Sequence, residues 1–234
     1  MPTPRRILIT GASQGLGLSL AEHYLALGDS VFGCSRGPSS LSHERYAHFA
    51  LDVSDETAVN AIADSIRASH GGLDALINNA GVASMNPIAL TTLDAARRIV
   101  DTNLLGTFLF TRAGIRLLRG SKTGRIVNLT TVAVPFRLEG EALYAASKSA
   151  IETFTRITAR EVAPFGITCN AVGPSPVKTR LTEKIPEEKI GQLIARQAMR
   201  RWAEPADVAN VVDFFLRPES GMVTGQVIYL GGVG

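Results

Sequence analysis

The sequence predicts an α/β protein built on a doubly wound parallel sheet of seven strands, with helices on both faces. Short runs rich in Val, Ile and Leu alternate with helical patterns of ten or more residues along the chain, which is typical of repeated βαβ units. The strand runs are apolar almost throughout, as expected for strands that helices cover on both sides. A glycine-rich turn directly after the first run places this sheet in the Rossmann-type class.

The pattern of apolar runs sets out the predicted elements in chain order. Strands are predicted at 7–10, 31–35, 49–53, 75–78, 125–130, 167–172 and 226–230. Helices are predicted at 16–27, 58–68, 93–118, 143–162, 187–198 and 207–216. No repeat, low-complexity segment or linker interrupts this order, so residues 1–234 are expected to form a single domain.

Composition excludes several classes of function. Hydrophobic residues make up 45% of the chain and charged residues 19%, which is typical of a globular protein. A net charge of +3 is too small to indicate a nucleic-acid partner. Cys34 and Cys169 both lie in predicted strands, and two buried thiols indicate neither a disulfide framework nor a metal site. No leader and no apolar run long enough for a bilayer is visible, so we expect no membrane partner and a cytoplasmic location.

The turn after the first strand is a candidate phosphate-binding site. It has the spacing G-x-x-x-G-x-G and leads straight into a predicted helix. Glycines let a pyrophosphate approach the backbone N–H groups, and the N-terminus of the helix favours an anion. The candidate cofactor-binding residues of this turn are Gly11, Ser13, Gln14, Gly15, Leu16 and Gly17.

The end of the second strand predicts which dinucleotide is bound. An acidic residue at this point binds the ribose hydroxyl of NAD, whereas an arginine pairs with the 2′-phosphate of NADP. Ser35 and Arg36 stand here, and no Asp or Glu occurs between Val31 and Leu41. We therefore expect NADP(H) rather than NAD(H), with Ser35 donating a further hydrogen bond to the phosphate. An ordinary solvent-facing role for Arg36 remains the alternative.

Further motifs make the whole chain resemble the short-chain dehydrogenase/reductase family, and most of all its bacterial 3-oxoacyl-acyl-carrier-protein reductases. The turn at 10–17 is similar to the family's TGxxxGxG, residues 78–81 read NNAG, and residues 144–148 match YxxxK. By this resemblance the catalytic residues are Asn103, Thr131, Tyr144 and Lys148. The resemblance also assigns cofactor contacts to Asp52, Val53, Asn79, Ala80, Gly81, Tyr144, Lys148, Pro174, Val177 and Thr179.

The chemistry needs a tyrosine and a lysine one helical turn apart. Tyr144 and Lys148 share a face of the predicted helix, and a nearby ammonium is expected to lower the pKa of a phenol from its ordinary value of about 10. In the family the tyrosine protonates the carbonyl oxygen while the cofactor supplies hydride, and the lysine also binds the nicotinamide ribose. Thr131 would stabilise the developing oxyanion, and Asn103 would hold a water of the proton relay.

Three departures from the family pattern keep other functions open. Thr131 stands where the family usually has serine, Ser175 replaces a glycine after Pro174, and the closing segment 230–232 lacks a common aspartate. They motivate a degenerate member that binds NADP(H) as a regulator. The second alternative is an NAD-linked alcohol dehydrogenase of the same family.

The resemblance also suggests a substrate and an assembly. Residues at about 181–203 correspond to the family's substrate lid, which is short in this chain. A ketone or β-ketoacyl substrate is expected, small or bound to a carrier protein. A homotetramer or homodimer is expected, with the helical regions 91–118 and 143–162 as one interface.

Overall fold

The centre of the protein is one parallel sheet. The computed structural model describes residues 4–179, 182–183 and 185–233. Within these residues seven strands pair in the order β3-β2-β1-β4-β5-β6-β7, every pair parallel. The strands are β1 Arg6–Thr10, β2 Ser30–Ser35, β3 Tyr46–Ala50, β4 Ala75–Asn78, β5 Arg125–Leu129, β6 Thr168–Gly173 and β7 Val227–Tyr229. This topology confirms the predicted fold class.

Helices cover both faces of the sheet, in agreement with the sequence prediction. They are α1 Gly15–Ala26, α2 Glu56–His70, α3 Leu93–Val100, α4 Gly106–Leu118, α5 Ala133–Phe136, α6 Ala142–Val162, α7 Glu187–Ala195 and α8 Pro205–Leu216. None of the helices in the described part of the chain is long and apolar enough to cross a membrane.

The core has two layers, one on each face of the sheet, because successive side chains of a strand point to opposite faces. On β1, Ile7 and Ile9 join the cluster formed with α1 and α8, whereas Leu8 joins the cluster formed with α2 and α4. Each of the three side chains is at most 2% exposed. Because both faces are packed, the ends of the strands are held in fixed positions. The strand order reverses between β1 and β4, where a doubly wound sheet opens a crevice at the carboxyl ends of its strands.

Three elements differ from the sequence prediction, and one of them is the short helix α5 Ala133–Phe136, which was not predicted. The third strand was predicted at 49–53 but spans Tyr46–Ala50, because this edge strand pairs only with β2 and is half-buried, so an apolar run does not mark it. The helix predicted at 93–118 is interrupted by a π-helical turn at Asp101–Leu105. Such turns are frequent at functional sites, and this one contains the buried Asn103.

Candidate active site

Each glycine of the first turn has its own structural reason. Gly11 and Gly15 have φ of +70° and +55°, values that side-chain-bearing residues rarely adopt. A Cβ atom on Gly17 would stand 2.2 Å from the carbonyl oxygen of Gly11, so only glycine fits. The glycine turn leads directly into the N-terminus of α1 at Gly15, and the first N–H groups of a helix together with its dipole favour an anion.

The other predicted residues of the turn lie on either side of this glycine backbone. Ser13 is half-buried at its rim, while Leu16 packs against the core and fixes the first turn of α1.

The NNAG segment holds the glycine turn in place. The Asn79 side-chain amide donates to the carbonyl oxygens of Thr10 (2.9 Å) and Gly11 (3.3 Å). In return, the Thr10 hydroxyl accepts the backbone N–H groups of Asn79 and Ala80 at 3.0 and 2.9 Å. These four bonds join the ends of β1 and β4 across the crevice. Asn79 and Ala80 therefore position the turn, and their predicted contact with a cofactor stays a prediction.

Arg36 is exposed directly after β2, at the same edge of the sheet. The positive charge of Arg36 acts on the carboxylate of Asp52, which is exposed directly after β3. The pKa of Asp52 is lowered by its hydrogen bonds with Ser54 and to a smaller extent by Arg36. The structure thus leaves the guanidinium on the surface beside the crevice, as an adenosine 2′-phosphate site requires.

Two neighbours of Arg36 are less available than the sequence suggests. The Ser35 hydroxyl donates to the Gly37 carbonyl oxygen at 2.8 Å and contacts His48 Nε2 at 3.0 Å. In this arrangement the Ser35 hydroxyl already donates to the Gly37 carbonyl oxygen, and its predicted hydrogen bond to a phosphate stays a prediction. The Val53 side chain is buried, in close contact with Gly106 of α4, so it belongs to the core.

Tyr144 and Thr131 meet at the carboxyl end of β5. Tyr144 lies in the first turn of α6 and is 8% exposed, and Thr131 is 9% exposed. Burial raises the pKa of Tyr144 to about 12, a hydrogen bond with Thr131 lowers it, and the Glu141 carboxylate raises it. The expectation of a lowered pKa for Tyr144 is wrong for this arrangement, because removal of the phenol from water outweighs the other effects.

Lys148 is buried one turn further along α6. Its ammonium donates to the Leu129 carbonyl oxygen at 2.7 Å and is out of bulk water. Burial lowers the pKa of Lys148 to about 8. Gly81 lies next to this ammonium, since a Cβ atom on Gly81 would stand 3.4 Å from the Lys148 nitrogen. Because glycine has no side chain, the space on this side of the ammonium is not filled.

Asn103 is fully buried and its side chain is occupied. The amide nitrogen donates to the Val82 carbonyl oxygen and to the Ser147 hydroxyl, both at 3.0 Å. The amide oxygen accepts the Val82 N–H at 2.8 Å. A water of the predicted relay would therefore have to bind the backbone of Asn103, which remains a prediction. Sequence reasoning missed Ser147, although it stands inside the YxxxK motif next to Lys148.

The loop after β6 closes the other side of the crevice. Pro174 accepts the N–H of Val132 at 3.3 Å, and the buried Val177 forms a β-bridge with Ala203. Thr179 reaches the glycine turn, since its methyl lies 3.3 Å from the position of a Cβ on Gly15. The loop thus connects the catalytic end of the crevice with its phosphate end.

Two of the segments that depart from the family pattern are joined by a hydrogen bond. Ser175 is 4% exposed, and its hydroxyl donates to the Leu230 carbonyl oxygen at 2.9 Å. Leu230 belongs to the closing segment that lacks the usual aspartate. The Ser175 hydroxyl thus connects the two segments.

The predicted lid region contains α7 and returns to the loop through the Val177–Ala203 bridge. Arg180, Leu181 and Lys184 lie outside the described residues, so the start of the predicted lid at 181 is not described.

Comparison with known proteins agrees with the fold class and shows the family. Residues 11–232 match the family profile described as enoyl-(acyl carrier protein) reductase. The chain is 31% identical over 231 residues to a 3-oxoacyl-[acyl-carrier-protein] reductase of Vibrio cholerae, covering 96% of this chain and 95% of that protein. The chain belongs to the short-chain dehydrogenase/reductase family, and it is an oxidoreductase.

Solved structures show the same architecture. The ligand-free aldohexose dehydrogenase of Thermoplasma acidophilum superposes with a TM-score of 0.90 at 29% identity, over 98% of this chain and 94% of that one. ElxO with NADP bound superposes with a TM-score of 0.88 at 28% identity, over 97% of each chain.

Burial of Lys148 makes stability depend on pH in a definite direction. Its pKa is about 8 in the folded chain and 10.5 ordinarily, so between these values the unfolded chain holds a proton that the folded chain has released. Stability therefore rises with pH in this window. Between pH 8 and pH 10.5, we expect the free energy of unfolding of the wild type to rise by about 3 kcal/mol more than that of a Lys148→Met variant. Urea denaturation at several pH values measures this, and parallel profiles for the two proteins would contradict it.

Proposed function

We propose that this protein is an NADP(H)-dependent reductase of ketone or β-ketoacyl-type carbonyls, with Tyr144 as proton donor. The observation that supports this most is the buried group of Thr131, Tyr144 and Lys148. It lies at the same carboxyl edge of the sheet as the glycine turn after β1. A proton donor and a dinucleotide site then share one crevice.

The residues present fit the cofactor. The N–H groups at the start of α1 suit a pyrophosphate, and the strained glycines keep the backbone accessible. The exposed Arg36 suits a 2′-phosphate. The Lys148 ammonium beside Gly81 suits the hydroxyl groups of a ribose. When bound, the nicotinamide supplies the hydride.

The Tyr144 phenol holds at neutral pH the proton that a reduction requires. Because burial raises the pKa of Tyr144 to about 12, the phenol keeps its proton and can give it to an alkoxide as that charge develops. Thr131, which lowers the pKa of the phenol, carries a hydroxyl that can stabilise the same oxygen. The ammonium of Lys148, close to the crevice, stabilises the phenolate once the proton has left.

The relatives support a β-ketoacyl thioester as one substrate, since a 3-oxoacyl-[acyl-carrier-protein] reductase covers almost the whole chain. We propose that the region around α7 covers this substrate, and that the whole chain acts as one domain. An NAD-linked dehydrogenase and a regulatory NADP(H)-binding protein are the alternatives that the following experiments distinguish.

Removing the Tyr144 hydroxyl should abolish proton transfer. We expect Tyr144→Phe to lower kcat with acetoacetyl thioesters by about 100- to 10,000-fold, while NADPH binding, followed by fluorescence, stays within about threefold of wild type. Thr131→Ser keeps a hydroxyl and should remain active, whereas Thr131→Val should not. Substantial turnover by Tyr144→Phe would refute the acid role. Tight NADPH binding by wild type without turnover of any carbonyl compound would favour the regulatory alternative.

Reversing the charge at Arg36 should separate the two dinucleotides. Arg36→Asp replaces attraction for the 2′-phosphate by repulsion, so we expect the KM for NADPH to rise by about 100-fold and that for NADH to change only a few-fold. Lys122→Asp, an exposed charge reversal away from the crevice, serves as the control. Equal changes for both dinucleotides would overturn the NADP(H) assignment.

We also propose that the protein is a homotetramer or homodimer through α4 and α6. Phe108 is 38% exposed on α4, Leu105 is 44% exposed in the π-helical turn directly before it, and Ile157 is 54% exposed on α6. We expect Phe108→Asp combined with Ile157→Asp to yield monomers in size-exclusion chromatography with light scattering. Met222→Asp, at a 95% exposed position outside both helices, is the control. A monomeric wild type at micromolar concentration would contradict this interface.

A further inference from the structure

A histidine on the edge strand β3 contacts the residues on both sides of Arg36. The Nε2 atom of His48 lies 3.0 Å from the Ser35 hydroxyl oxygen and 3.0 Å from the Gly37 carbonyl oxygen. The other ring nitrogen, Nδ1, lies 2.8 Å from the hydroxyl oxygen of Tyr46. Both nitrogens of this half-buried ring therefore have partners, and the ring connects β3 with the turn that carries the arginine.

The surroundings of the ring determine where its proton lies. A carbonyl oxygen can only accept a hydrogen bond, so an unprotonated Nε2 would place its lone pair against the oxygen of Gly37. With a proton on Nε2 the ring donates to Gly37, and Nδ1 can accept the hydroxyl proton of Tyr46. Burial raises the pKa of Tyr46, so the phenol keeps the proton that it donates. Nε2 therefore carries a proton in the arrangement that satisfies these contacts.

The neighbouring strand leaves space for the phenol. Tyr46 and His48 are two residues apart on β3, so both side chains lie on the same face of the sheet. His48 is the register partner of Gly33 on β2, and a Cβ atom on Gly33 would collide with the Tyr46 hydroxyl. Because glycine has no side chain, the phenol can lie over β2 and reach the ring of His48.

Two donors meet at the Gly37 carbonyl oxygen. The Ser35 hydroxyl donates to it at 2.8 Å, and the Nε2–H of His48 donates to it as well. A carbonyl oxygen has two lone pairs and can accept both bonds. When the Ser35 proton turns towards an anion, this oxygen keeps the bond from His48, whereas without the histidine it would be left unpaired. His48 thus allows Ser35 to give up the bond within its own turn.

We propose that His48 is a positioning residue for the 2′-phosphate of NADP(H). By holding the Gly37 carbonyl oxygen, it releases the Ser35 proton for a hydrogen bond to that phosphate, beside the guanidinium of Arg36. The proposal rests on the proposed function, because it takes Arg36 as the residue that binds the phosphate. NAD(H) has no phosphate at this position and gains nothing from the released proton. His48 therefore contributes to the preference for NADP(H) and not to the general affinity for dinucleotides.

Four ligands isolate the contribution of the phosphate. Adenosine 2′,5′-bisphosphate and 5′-AMP differ by the 2′-phosphate alone, and NADP⁺ and NAD⁺ repeat the comparison with the whole dinucleotide. We would measure their dissociation constants by isothermal titration calorimetry, which needs no turnover. The variants are Ser35→Ala, His48→Leu, His48→Gln, the double variant Ser35→Ala/His48→Leu, and the control His43→Leu, which changes an exposed histidine ahead of β3.

Ser35→Ala and His48→Leu should each weaken the binding of adenosine 2′,5′-bisphosphate and NADP⁺ by about 10-fold, with 5′-AMP and NAD⁺ unchanged within about twofold. A glutamine can place its amide N–H near the position of Nε2, so His48→Gln should stay within about threefold of wild type. Because His48 acts through the Ser35 hydroxyl, the double variant should lose about 10-fold and not about 100-fold. His43→Leu should match wild type.

Several results would overturn the role of His48 and leave the proposed function standing. Equal losses for both members of a ligand pair would show that the histidine only supports the fold of this edge. A loss of about 100-fold in the double variant would show that it acts independently of Ser35. A His48→Leu variant with wild-type affinities would show that it has no part in binding. A wild type that binds adenosine 2′,5′-bisphosphate no more tightly than 5′-AMP would overturn the NADP(H) assignment as well.

Discussion

Burial of ionisable side chains at the start of α6 is the constraint on which the site depends. Tyr144 and Lys148 face the end of β5, and the Lys148 ammonium is held there by the Leu129 carbonyl oxygen. Taking these groups out of water is unfavourable, and it shifts the pKa of the phenol up and that of the amine down. A helix packed on a rigid parallel sheet can maintain this arrangement, whereas a mobile loop would let water in.

The phosphate end of the crevice is built by a different means. Its geometry comes from backbone rather than from buried charge, since Gly11 and Gly15 adopt conformations that other residues avoid. The turn is rigid because Thr10 and Asn79 bond it to the end of β4. A preorganised turn can bind an anion without paying the entropy of ordering a loop.

The loop after β6 connects the glycine turn with the substrate end of the crevice. The loop after β6 reaches the glycine turn through Thr179 and the lid region through the Val177–Ala203 bridge. Ser175 connects this loop to the closing segment. A hydrogen bond therefore joins two segments at which the chain departs from the usual pattern of its family.

The sequence by itself determined the fold class, because apolar runs and helical patterns alternate with the periods of βαβ units, and local spacing suffices to recognise them. It also brought Tyr144 and Lys148 to one face, since four residues make one helical turn. Tertiary structure alone decided the rest. The edge strand β3 lacks a continuous apolar run, and the π-helical turn around Asn103 follows from packing rather than from propensity. The pKa values of Tyr144 and Lys148 depend on burial, which is created by residues that are distant in sequence and meet only in the folded chain.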